Sequence, residues 1–157
     1  MFKKLKPYII SVAIALGVGG LSALITSAGN DFYETIDKPF LSPPSWLFPV
    51  VWSILFAVMG ITSAMVYTDN KASKGEKYNA LAVYAIQLVF NFIWSIIFFN
   101  LRMFFFAFIW LVGLLVLIFE MIRRFYKIKK LSGILNIPYL IWVTFAGYLN
   151  FMIFLLN

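Results

Sequence analysis

Two tryptophans and two carboxamides carry the chemistry open to this chain. Trp52 and Trp142 offer large π-faces, and Gln87 and Asn91 offer hydrogen-bonding groups one helical turn apart. That combination suits the stacking and orientation of a flat aromatic ligand, since small-molecule pockets pair apolar walls with a few placed polar groups. No nucleophile–base or acid–base pair supports ordinary hydrolysis or group transfer. Cysteine and histidine are both absent. Their absence excludes disulfides, thiolate or imidazole metal sites and a haem ligated through either residue, so no metal site and no required cofactor is expected.

These residues need a scaffold, and the composition says which. Of 157 residues, 63% are hydrophobic and 12% charged, more apolar surface than a water-soluble globule of this size can hide. The chain reads as an all-α integral membrane protein, a single five-transmembrane-helix bundle with spans at about 7–28, 43–67, 78–99, 104–122 and 134–156. The first run follows Lys3, Lys4 and Lys6 like the basic flank of a signal peptide, but it is too long for that and is expected to be retained as a helix. Along it, Ala15, Gly19, Ala23 and Ser27 form a small-residue ridge, open either to packing inside the bundle or to a contact between subunits.

The stretch Lys38–Trp52 holds four of the six prolines (Pro39, Pro43, Pro44, Pro49) and two of the five tryptophans (Trp46, Trp52). Residues 30–42 read as a lid loop, polar but carrying Phe32, Tyr33 and Phe40. Ser42 is expected to cap the second helix with Pro43 at its first position. Pro49 either kinks that helix or marks a later start. Trp46 reads as an anchor at the membrane interface. In the second span Trp52, Phe56 and Gly60 step along one face. In the third, Tyr84, Gln87, Asn91 and Ser95, with Trp94 beside them, form one polar stripe that must face the bundle interior, toward other helices or a ligand. Glu120 sits three and four residues before Arg123 and Arg124, an ion pair at the membrane edge. In the last span Pro138 bends or starts the helix, and Trp142, Ala146 and Asn150 recur every fourth residue, with space beside the indole.

Eleven lysines and arginines fall on the side of the N-terminus and the second and fourth loops, and two, Lys38 and Arg102, on the other. The positive-inside rule then puts the N-terminus in the cytoplasm and the C-terminus outside the cell membrane. The net charge of +7 is explained by this orientation, without a nucleic-acid partner.

Four groups of residues occur in order: Lys38-Pro39 through Pro43-Pro44, Trp46, Pro49-Val50 and Trp52; Met59-Gly60; Gln87-Leu88, Asn91, Trp94-Ser95 and Phe98-Phe99; and Pro138-Tyr139-Leu140, Trp142, Phe145-Ala146 and Leu149-Asn150. With these the chain resembles, over nearly its whole length, the translocator protein family. Its bacterial members are called tryptophan-rich sensory proteins, and its mitochondrial ones were first known as peripheral benzodiazepine receptors. The resemblance implies a five-helix bundle in a bacterial cell membrane, usually a homodimer, binding porphyrins and isoquinoline-carboxamide ligands under the first loop. Trp52, Asn91, Trp94, Trp142 and Ala146 match pocket positions, and the loop with Tyr33, Pro43 and Pro44 matches the lid. Phe56, Gln87 and Phe90 complete the candidate ligand-binding set. Phe56 stands where many relatives have Tyr. The sterol-recognition segment of animal members has a basic residue that is lacking after Tyr148.

A porphyrin here would be held without strong axial ligation, which favours the metal-free form. Lys38 and Arg102 are the candidates to meet its propionates. Three roles are open: a tetrapyrrole sensor or handler, a light-dependent oxidative degradation of bound protoporphyrin with Trp52 and Trp142 as photochemical participants, and a transporter of small lipophilic molecules.

Overall fold

A computed structural model describes residues 2–157. Its helices are α1 (Phe2–Thr35), α2 (Leu47–Tyr67), α3 (Lys74–Ser95) with a π-helical turn at Ile96–Asn100, α4 (Phe104–Ile128), the short α5 (Lys130–Ile134) and α6 (Ile137–Leu156). With α5 and α6 taken together, five segments are long and apolar enough to cross a membrane. The bundle packs α1 along α2, α3 along α4 and α4 along α6. Side chains such as Ile14, Leu24, Val116 and Ile141 remain on the outside, as lipid-facing positions do.

The connection between α1 and α2 differs from the expected lid. Helix α1 continues through Thr35, so residues 30–35 are helical and the connection shrinks to residues 36–46. Tertiary partners hold the extra turns: Tyr33 is buried, Gly29 lies against the Phe99 backbone, and the Phe32 ring stacks on Phe104 at 5.8 Å. Ser42 does not cap α2 and Pro43 is not its first residue, because Ser42 N–H closes a turn on the Pro39 carbonyl at 3.0 Å and Leu47 N–H closes another on Pro44 at 3.0 Å. Pro49 is therefore the third helical residue, where an N–H has no partner within the helix, and no hydrogen bond is lost. Trp46, 66% exposed, is placed as an interface anchor would be.

Other boundaries move for similar reasons. Helix α3 starts at Lys74, four residues early, because Ser73 and Glu76 form a reciprocal capping box. Before it, Asp69 accepts from the Ala72 and Lys71 amides at 2.9 and 2.8 Å, bonds that hold its carboxyl below the ordinary range. Helix α4 runs past residue 122 to Ile128, where buried Phe125 still packs on the core. Pro138 starts α6, as its second residue, and does not bend it. On α1 the buried line is Ala15, Ser22, Thr26, Gly29 and Tyr33, and Ser27 of the expected ridge is exposed. The close approach of α1 to α2 is set from both sides: a Cβ on Gly60 of α2 would lie 2.5 Å from Val12 Cα, and one on Gly19, a member of the expected α1 ridge, would meet the Phe56 ring at 2.6 Å.

Candidate functional site

Beneath the residue 36–46 connection lies a cavity of about 320 Å³. Helix α1 gives it small residues (Gly19, Ser22, Ala23, Thr26), and α2 gives aromatic ones (Phe48, Trp52, Phe56). Asn91, Trp94 and Ser95 enter from α3, and Trp142, Ala146 and Asn150 from α6, each set one turn apart along its own helix. The π-helical turn has a local cause for its shape: Leu101 N–H reaches back to Ile96 at 3.0 Å, and that extra residue places Phe98 and Phe99 in the wall.

The aromatic lining is braced from outside. Trp94 donates its indole N–H to Asn150 Oδ1 at 3.1 Å, and Asn150 Nδ2 donates to the Phe104 carbonyl at 2.8 Å, so α3, α6 and α4 are tied through one amide. Trp94 also stacks on Phe98 at 5.5 Å. Trp52 leans on Phe56 at 5.7 Å, and Phe48 meets Trp142 edge-on at 5.9 Å.

Polar capacity in the cavity is small. The Thr26 hydroxyl donates to Ser22 O and the Ser95 hydroxyl to Asn91 O, so both protons serve the backbone. Asn91 donates Nδ2 to the Tyr139 hydroxyl at 2.9 Å, and its Oδ1 accepts no hydrogen bond among the described residues. Trp142 Nε1 and the Tyr33 hydroxyl are buried without partners. Among the described residues, the one charged lining residue is Glu34 at the rim. It takes Lys38 Nζ at 3.1 Å and the Ser45 hydroxyl, strapping the end of α1 to the connection. A second strap joins Asp37 to Asn157, amide to Oδ1 at 3.2 Å and carbonyl to Nδ2 at 3.0 Å.

Seven of the candidate residues meet in this lining: Tyr33, Trp52, Phe56, Asn91, Trp94, Trp142 and Ala146. Four do not. Gln87 is fully buried behind the cavity, where its Oε1 accepts from Tyr139 at 2.7 Å and its Nε2 lies 3.4 Å from Met59 Sδ. Phe90 turns toward α4 and stacks on Trp110 at 4.4 Å, because Trp110 donates to its carbonyl. Pro43 and Pro44 lie in the connection outside the lining, to which that region contributes Ser45, Phe48 and Pro49. Lys38 and Arg102 are outside it too: Lys38 sits over the Tyr33 ring at 4.6 Å, and Arg102, at a φ of 55°, over Phe32 at 4.1 Å.

Sequence reasoning missed Ser22, Thr26, Phe48 and Asn150 as lining residues. Each had a signal. Ser22 and Thr26 are polar residues four apart inside an apolar helix, and Asn150 continues the four-residue step from Trp142 and Ala146. Phe48 lies four residues before Trp52 and extends the Trp52, Phe56, Gly60 step backward by one turn.

Comparison with known proteins agrees with this architecture. The family model described as the TspO/MBR family matches residues 10–156. The tryptophan-rich protein TspO of Chlorobaculum tepidum is 37% identical over 94% of this chain and 92% of its own length. Protein CrtK of Rhodobacter capsulatus is 38% identical over 92% and 89%, and the translocator protein of Bos taurus is 30% identical over 92% and 88%. With its five membrane-spanning segments and a family match over nearly its whole length, the chain is a multi-pass membrane protein of the TspO/MBR family.

Proposed function

We propose that this protein binds porphyrin-type tetrapyrroles, and flat isoquinoline-carboxamide-type ligands, in the cavity under the residue 36–46 connection, and that it acts as a sensor or handler of tetrapyrroles. The observation that carries this reading is the lining itself: three indoles, Trp52, Trp94 and Trp142, around one carboxamide oxygen that nothing else engages. Such walls favour a planar π-system. The unpartnered Trp142 N–H and Tyr33 hydroxyl are buried polar atoms that a ligand would satisfy, and Asn91 Oδ1 is a lining acceptor left open to it. A relative from Cereibacter sphaeroides, 32% identical over 82% of this chain, is named a tryptophan-rich sensory protein, which supports the sensing role.

The cavity volume sits near the lower end of the roughly 300–1,000 Å³ of small-molecule sites. A full macrocycle therefore needs the connection to shift outward or a ring edge to project past the rim. The N-terminus is assigned to the cytoplasm and the C-terminus to the outside of a bacterial membrane, from the eleven-to-two division of lysine and arginine.

The test is the absorbance of protoporphyrin with the purified protein in detergent, in darkness and under illumination, for the parent, Trp52→Phe and Trp142→Phe. A saturable red shift, weakened in both variants, is expected. An unshifted spectrum removes the reading. Light-dependent loss of the porphyrin band in the parent, absent from the Trp variants while dark binding persists, would make the indoles participants in chemistry.

A further inference from the structure

The cavity has a second side. On the lipid-facing flank of the bundle, Val51, Ile54 and Leu55 of α2 and Pro138, Ile141 and Phe145 of α6 edge an open groove of about 580 Å³, and Trp142 closes it. Trp142 also lines the internal cavity. One indole is thus the wall between a groove facing the bilayer and a chamber inside the protein.

The helices on either side of that wall are not packed on each other. Helix α1 covers α2 and α4 covers α6, but α2 and α6 share almost no close backbone contact. A hydrogen bond latches them at one end, Asn136 Nδ2 to Thr62 Oγ1 at 2.8 Å. Further along, ring edges bridge the seam: Trp52 to Tyr139 at 6.3 Å and Phe48 to Trp142 at 5.9 Å. Edge-to-face contacts are directional but weak, and their loss leaves no buried polar group stranded.

Trp142, like Trp52 on the facing helix, donates no indole hydrogen bond among the described residues. Trp94 is tied to Asn150 at 3.1 Å and Trp110 to the Phe90 carbonyl at 2.9 Å, whereas Trp142 Nε1 is buried and has no partner. A swing of this ring therefore breaks no hydrogen bond. The opposite, water-facing approach is held by the Glu34–Lys38 and Asp37–Asn157 straps.

We propose that the α2–α6 groove is the port through which a planar, lipid-soluble ligand passes from the bilayer into the cavity, with Trp142 as its movable partition. The occupant is a flat apolar ring system already dissolved in the membrane, since every groove side chain is apolar or aromatic and no charged group is present to hold a water-soluble molecule. This inference rests on the reading of the cavity as the ligand site. It adds a route, and with the route a kinetic role for Trp142 separate from its stacking.

Because the chain has no cysteine, single cysteines can be labelled without background. Ile141→Cys and Ile54→Cys, at side chains 63% and 59% exposed, would carry a bulky maleimide across the groove, and Val116→Cys on α4, 65% exposed, is the control. The proteins are placed in phosphatidylcholine vesicles with protoporphyrin dissolved in the bilayer, and quenching of tryptophan fluorescence is followed in time. Labels at residues 141 and 54 are expected to slow both association and dissociation by about tenfold or more while Kd stays unchanged, as for a gate outside the site. The label at residue 116 is expected to change neither rate. Rates that are the same in all three labelled proteins overturn the port, and so does a changed Kd with unchanged association. Absence of saturable quenching in the unlabelled parent would instead overturn the ligand site itself.

Discussion

Tyr139 donates its hydroxyl proton to Gln87 Oε1 at 2.7 Å, and that bond decides which way Asn91 faces the cavity. A phenol has one proton, so once it is given to Gln87 the oxygen can only accept, and Asn91 must present Nδ2 to it, at 2.9 Å. The carboxamide oxygen of Asn91 is what remains for a ligand. Gln87, outside the cavity, thereby acts on its polarity through two hydrogen bonds.

Tyr139→Phe removes both bonds while keeping the ring. Two buried amide groups lose a partner, at about 1–3 kcal/mol for each group left unsatisfied. The apparent thermal midpoint in detergent is expected to fall, read by tryptophan fluorescence or circular dichroism. Asn91 then becomes free to turn either end to the cavity, so ligand affinity is expected to drop even though Tyr139 does not line it. Unchanged melting and unchanged affinity would show that the relay orients nothing.

Gly60→Ala tests the α1–α2 contact. The added Cβ would lie 2.5 Å from Val12 Cα, backbone that cannot move without shifting α1. Overpacking of this kind costs about 1–3 kcal/mol. Gly17→Ala on the outer face of α1 meets nothing within 4 Å and is the control, expected to leave the melting curve unchanged or slightly raised. Equal melting of the two variants would contradict the close approach.

Much of this could be read from the sequence, and where it could not the reason is physical. The five spans and the inward-facing stripe Tyr84, Gln87, Asn91, Trp94 and Ser95 follow from hydropathy and from the cost of bare amides in lipid, both local properties. The end of α1 was hidden because residues 30–35 are polar, and their helix is fixed by contacts with distant Phe99 and Phe104. The same blindness separates Gln87 from Asn91. They share a stripe one turn apart, but only the position of Tyr139 on another helix makes one a cavity residue and the other its support. Phe90 illustrates the reverse, an aromatic beside the stripe that stacking on Trp110 draws away.

A carboxylate-bearing ligand must contend with Glu34, which lines the rim and already holds Lys38 at 3.1 Å. Glu34→Gln is expected to release Lys38 and tighten protoporphyrin binding. The Lys38→Ala, Arg102→Ala double variant is expected to weaken it, and both effects should shrink in high salt, where exposed charges are screened. Titration of each variant at low and high ionic strength checks this. Affinity in the double variant equal to the parent's at low salt would remove both residues as propionate partners.

Asn150 joins three helices through one amide, accepting from Trp94 Nε1 at 3.1 Å and donating to the Phe104 carbonyl at 2.8 Å. Asn150→Leu keeps the bulk and removes both bonds, stranding a buried indole N–H, whereas the Phe104 carbonyl, at the first residue of α4, keeps its partner within the helix. A loss of about 1–3 kcal/mol for the stranded N–H is expected, with ligand affinity reduced because the Trp94 ring is no longer fixed. Trp94→Phe removes the N–H together with part of the ring. If the two residues act as a pair, the double variant Trp94→Phe, Asn150→Leu will be less destabilised than the sum of the singles, since no indole N–H is then left to strand. The residual cost belongs to the smaller ring at position 94 and to the lost second bond at the Phe104 carbonyl. Strict additivity of the two melting shifts would show that the Trp94–Asn150 bond does not hold the cavity wall.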